Sequence, residues 1–124
     1  MIVGVSIGRG FDNIAEIYKV LDEIKPSEVC ALKNQHLKSY CKDRGISFQE
    51  IQINWAPLGS KNIKLNNFGK PYNADAPQEA AQKIVDYSEQ IIEFGGGDYS
   101  VRKLGKDKVV KVDSLVSLEK KYKF

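Results

Sequence analysis

The sequence predicts an α/β fold, a three-layer Rossmann-like arrangement with five parallel strands in the order 3-2-1-4-5. Short β-branched apolar runs alternate along the chain with segments whose apolar residues recur every three or four positions. The early runs are separated by helix-length segments instead of tight hairpin turns, which argues for crossover connections and against an antiparallel sandwich. The chain's 124 residues suffice for one domain with one modest core.

Ile2–Ile7 is rich in β-branched residues and reads as the first, buried strand. After a Gly8-Arg9-Gly10 turn, Asp12 or Asn13 can cap a helix, with Glu16 placed as in a capping box. Ile14, Ile17, Tyr18, Leu21 and Ile24 form its apolar face, and Pro26 stops it. Glu28–Leu32 is the second strand. Asn34 caps the next helix, which carries Leu37, Tyr40 and Cys41 and ends at Gly45. Ser47–Ile53 alternates as a third strand nearer a sheet edge. From Asn54 to Ala76 periodicity is lost among Pro57, Gly59, Gly69, Pro71 and five asparagines, a length typical of binding loops and lids. Pro77 then opens a helix burying Ala80, Ala81, Ile84 and Val85. Glu89–Phe94 and Lys108–Val112 supply the fourth and fifth strands. The domain is thus expected over residues 1–112, with residues 113–124 as a short helix or basic tail in which Ser114–Lys121 carries Leu115 and Leu118.

Composition is that of an ordinary globular domain, 42% hydrophobic and 28% charged. No run approaches the length of a membrane span and no secretory leader is evident, so a cytoplasmic protein without a membrane partner is expected. Cys30 and Cys41 read as buried thiols, and a lone His36 without paired cysteines offers no zinc site. No metal or cofactor is expected. The formal charge of +3 is small but unevenly spread. Residues 101–124 hold eight Lys or Arg against three acids, while residues 77–100 hold one Lys against five acids. The basic excess begins just after Gly95-Gly96-Gly97, where it can draw an anion to the end of the fourth strand.

In open parallel sheets ligands bind beyond the carboxyl ends of the strands, where the strand order reverses. The order 3-2-1-4-5 makes strands one and four neighbours there. The turns Gly8-Arg9-Gly10 and Gly95-Gly96-Gly97-Asp98 then face one another, and glycines let backbone N–H groups approach a phosphate. The dinucleotide fingerprint is incomplete: Asn13 stands at its third glycine, and strand two ends in Ala31-Leu32-Lys33 instead of an acid. No Walker A sequence is present. Ser100 and Arg102 complete a candidate anion cradle, the Arg offering a bidentate fork. Trp55, Phe68 and Tyr72 can stack a base or anchor the long loop.

These residues resemble the SLOG superfamily of Rossmann-like nucleotide-binding domains, which includes DprA-like proteins and LOG-type nucleotide phosphoribohydrolases. The likeness is to the short YspA-like branch of bacterial and phage proteins. It rests on Gly8-Arg9-Gly10-Phe11 after strand one, Arg44-Gly45-Ile46 before strand three, Trp55 after it, Gly69 and Asn73 before the next helix, and Tyr87-Ser88-Glu89 before strand four. The family's glycine-rich turn after strand two is replaced by Leu32-Lys33-Asn34-Gln35-His36. The LOG-type motif after strand four is matched as far as Ser100 and then places Arg102 and Lys103 where a catalytic acid would stand. Cleavage of an N-glycosidic bond needs a carboxylate, which those cations do not supply.

The leading expectation is a non-catalytic protein that binds a nucleotide or nucleotide-derived ligand. Its expected binding residues are Gly8, Arg9, Gly10, Asn34, Trp55, Gly95, Gly96, Gly97, Asp98, Ser100 and Arg102, with no catalytic residue and the long loop closing over the base. The alternative is an N-glycosidase or deoxyribosyltransferase-like enzyme using Asp98 or Glu79, read as the only acids near the cleft. A further alternative is a module for single-stranded nucleic acid or protein, the former as in DprA-like relatives. A homodimer is also entertained.

Overall fold

The computed structural model describes residues 1–111, so the expected terminal helix over Ser114–Lys121 lies outside the described residues. Five strands form one parallel sheet: β1 (Ile2–Ile7), β2 (Glu28–Leu32), β3 (Ser47–Ile51), β6 (Gln90–Phe94) and β7 (Val109–Lys111). Their order is β3-β2-β1-β6-β7, which is the expected 3-2-1-4-5. Helices α1 (Ile14–Ile24) and α2 (Gln35–Arg44) cover one face, and α3 (Ala76–Tyr87) and α4 (Tyr99–Gly105) the other.

Strand alternation divides the core accordingly. Val3, Val5, Val29, Ala31, Ile92 and Phe94 pack against Ile17, Val20 and Leu21 of α1 and Leu37, Tyr40 and Cys41 of α2. Cys30, Ile51 and Ile91 face Ala80, Ala81, Ile84 and Val85 of α3 and Val101 of α4. Burial pushes both thiols up to about 11, so neither cysteine is a nucleophile at neutral pH.

The caps follow the sequence. Asn13 caps α1 by accepting from the Glu16 N–H, and its amide donates to the Glu16 carboxylate at 3.3 Å. Asn34 accepts from the N–H groups of His36 and Leu37. The Arg44-Gly45-Ile46 step has a structural use. Arg44 forks onto Asp22 of α1 at 3.0 and 3.1 Å, and the Tyr40 hydroxyl donates to the same carboxylate at 2.8 Å. The guanidinium also lies 5.5 and 5.3 Å from the ring centres of Tyr18 and Tyr40. Hydrogen bonds from Arg44 and then Tyr40 hold Asp22 below the usual carboxylate range.

Three strand boundaries differ from expectation, and α3 begins at Ala76, one residue before Pro77. β3 ends at Ile51 instead of Ile53, β6 begins at Gln90 instead of Glu89, and β7 begins at Val109 instead of Lys108, a 3-10 turn occupying Lys106–Lys108. The larger difference lies between Asn54 and Ala76. That connection contains an antiparallel hairpin, β4 (Ile63–Leu65) with β5 (Pro71–Asn73), joined by Asn66–Lys70. Its base is fastened by Asn73, whose buried amide donates to the Asn54 carbonyl and the Glu79 carboxylate and accepts from Ser60 Oγ and the Asp75 N–H.

Candidate glycine-turn crevice

The chain leaves β1 towards α1 on one face and leaves β6 towards α4 on the other. Their carboxyl ends therefore part at the reversal of strand order. Both glycine turns sit there, in direct contact. A Cβ on Gly8 would fall on the carbonyl of Gly95, 2.7 Å from its carbon and 3.1 Å from the Gly97 nitrogen. The Phe94 carbonyl ties the turns together by accepting from the N–H groups of Gly8 and Gly97, at 2.7 and 3.1 Å.

Gly95, Gly96 and Gly97 all have positive φ, +59°, +85° and +57°, a succession that only glycine adopts without strain. They differ in what surrounds them. A Cβ on Gly95 would lie 2.7 Å from Phe11 Cβ, and one on Gly97 would lie 2.9 Å from Glu93 Cδ. A Cβ on Gly96 would meet nothing within 4 Å. The flanking glycines close the packing, whereas Gly96 faces open space.

Several expected anion donors are already engaged. The Asp98 N–H donates to Ser6 Oγ at 2.8 Å, and Asp98 Oδ1 caps α4 by accepting from the N–H groups of Ser100 and Val101. Arg102, expected to offer its fork to a phosphate, is held within the protein. Its Nε and Nη2 donate to Glu93 at 3.1 and 2.9 Å, and Nη2 also donates to the Gly96 carbonyl. The Glu93 side chain is 2% exposed and that of Arg102 43%. A buried carboxylate requires such a partner, so Arg102 acts first as a clamp on the glycine run. This pairing with Glu93 holds the Arg102 guanidinium above its ordinary range.

Two depressions flank the joined turns. One, of about 320 Å³, is lined by Phe11, Glu16, Glu93, Phe94, Gly95, Gly96, Arg102 and Lys111. Its formal charges cancel, two carboxylates against two cations, and the Phe11 and Phe94 rings, 5.7 Å apart, give it an apolar wall. The other, of about 180 Å³, lies at the ends of β1 and β2, between the helix-capping side chains Asn34 and Asp98, with Ser6 and Lys33 on its wall.

The structure thus brings Gly8, Gly95, Gly96, Gly97, Asp98 and Arg102 together, with Asn34 across the smaller depression. Arg9 and Gly10 are exposed on the β1 turn. Ser100 is half-buried in the first turn of α4, with its N–H held by Asp98. Trp55 stands apart in the hairpin connection, edge-on to Tyr72 with ring centres 6.1 Å apart, and lines neither depression. Glu79 is bonded to Asn73 at the hairpin base. The reading of Asp98 and Glu79 as the only acids near the cleft is corrected by Glu93 and Glu16. Glu93 has a signal in the sequence: it is the one acid inside the apolar run Gln-Ile-Ile-Glu-Phe of β6. No family model, curated protein or solved structure matches the chain.

Proposed function

We propose that the protein binds a nucleotide or nucleotide-derived ligand at the carboxyl edge of the sheet, its phosphate over Gly96. The observation that carries this reading is the pair of fused glycine turns at the reversal of strand order, in which Gly10 of the first turn and Gly96 of the second face open space, and of these Gly96 lines the larger depression. The Gly96 N–H has no backbone partner among the described residues. Lys111, an exposed cation at the end of β7, lines the same depression as Gly96, and Arg9 is a second exposed cation, on the β1 turn. The larger depression is at the low end of ligand-pocket sizes and suits a mononucleotide better than a dinucleotide. Its balanced charge fits a ligand with one phosphate and a neutral hydrogen-bonding portion that rests on Phe11.

A second reading, an N-glycosidase, is favoured by one observation. The cavity does contain a buried carboxylate, supplied by Glu93 from β6 rather than from α4. Arg102 engages both of its oxygens, so in this reading the arginine turns away from at least one of them before the Glu93 carboxylate faces positive charge on a sugar. Native mass spectrometry of the purified protein, with a panel of ribo- and deoxyribonucleotides added, separates the two. An intact nucleotide adduct supports binding. Release of free base from the panel, lost in Glu93→Gln, supports cleavage. Absence of both removes the nucleotide reading altogether.

A further inference from the structure

The hairpin connection carries chemistry that the crevice does not use. Nine large apolar side chains are exposed among the described residues, and five of them, Trp55, Leu58, Ile63, Leu65 and Phe68, fall within it. Leu58 is 97% and Phe68 88% exposed, far beyond what a lone surface residue needs. This is not slack chain. Asn66 organises the tip by accepting from the N–H groups of Phe68 and Lys70, and Asn73 fixes the base. Two strands of three residues are nevertheless too small a sheet to stand unaided.

We propose that this hairpin is the surface through which two copies of the chain associate, hairpin against hairpin about a two-fold axis. A two-fold contact joins a surface to itself. Elsewhere the exposed apolar residues are Met1, Ile14, Tyr87 and Tyr99, spread over four separate elements and turns, so no other described surface matches the hairpin in apolar character. Register and alternation put Ile63, Leu65 and Pro71 on one face, whose base is closed by the buried Asn73 opposite Ile63, and Lys64 with Tyr72 on the other. Packing on the first face buries the aliphatic side chains and keeps the two Lys64 ammonium groups apart. Charge supports the same geometry. The tip carries Lys70, while the base adjoins Asp75 and Glu79 against one cation, Lys61, a net negative end, so antiparallel packing sets the tip of one copy over the acids of the other. Single-stranded nucleic acid fits less well, because bases stack on rings and most of this face is aliphatic.

Sedimentation equilibrium across about a hundred-fold range of protein concentration tests the proposal, with oligonucleotide titration alongside. The expected result is a reversible shift from monomer to dimer. Leu65→Glu weakens it about a hundred-fold, since it buries a charge at the centre of the contact. Lys70→Glu weakens it less, and Lys64→Glu leaves it unchanged. At the dilute end, where parent and variant are both monomers, melting temperature stays level in Leu65→Glu because that side chain is exposed in the monomer. A monomer at every concentration, a dimer indifferent to Leu65→Glu, or a hairpin that binds oligonucleotide without dimerising would each overturn it.

Discussion

The turns after β1 and β6 occupy equivalent positions in the fold and are built differently. In Gly8-Arg9-Gly10 one glycine, Gly8, is pressed against the neighbouring turn while Gly10, at φ +85°, meets nothing. In Gly95-Gly96-Gly97 the pressed glycines flank the open one. The second turn alone is locked by charge, with Arg102 spanning Glu93 and the Gly96 carbonyl. The contrast separates two uses of glycine that look identical in a sequence. Some positions lack a side chain so that protein can approach protein, and others leave a surface bare for something else.

Gly8→Ala should have the largest effect on stability, because its Cβ meets backbone that cannot swing aside. A loss on the order of 3 kcal/mol or more is expected, read as a melting temperature lower by roughly 10 °C. A variant melting like the parent would show that the two turns are not rigidly fused.

Arg102→Ala comes next. It leaves the Glu93 carboxylate buried without its partner, at about 2–3 kcal/mol after allowing for the half-exposed arginine. Replacing both partners, Glu93→Gln with Arg102→Gln, should recover much of that loss in chemical denaturation, since no lone charge then stays buried. Additive losses would contradict the clamp.

Gly96→Ala is the smallest of the three. Positive φ alone opposes alanine there, at about 1 kcal/mol. A large loss of stability would mean that Gly96 is packed like its neighbours, and the distinction between the flanking and central glycines would fail.

The strand order was legible because the first three helices repeat their apolar residues at helical spacing and the breaks at Gly8-Arg9-Gly10, Pro26, Gly45 and Gly95-Gly96-Gly97 fall between elements. The contact between the glycine turns followed from that order alone. The role of Arg102 was not legible, since its partner lies nine residues away across a loop whose path depends on three positive-φ residues. The β4–β5 hairpin was hidden for another reason: three residues are too few to show alternation. Asn73 resembled its neighbouring loop asparagines, and only its burial among Asn54, Ser60, Asp75 and Glu79 sets it apart. Trp55, expected at the ligand, packs edge-on to Tyr72 of the hairpin and lines neither depression.

Calorimetric titration of folded Gly96→Ala and Arg9→Ala proteins with the nucleotide that the parent binds tests the central claim most directly. The methyl of Gly96→Ala occupies the open space over the turn, so binding should be lost while the protein still melts cooperatively. Arg9→Ala removes one charge-assisted contact and should weaken binding by about ten-fold or more. Undiminished affinity in both folded variants would contradict the account and leave Gly95-Gly96-Gly97 as a means of turning the chain.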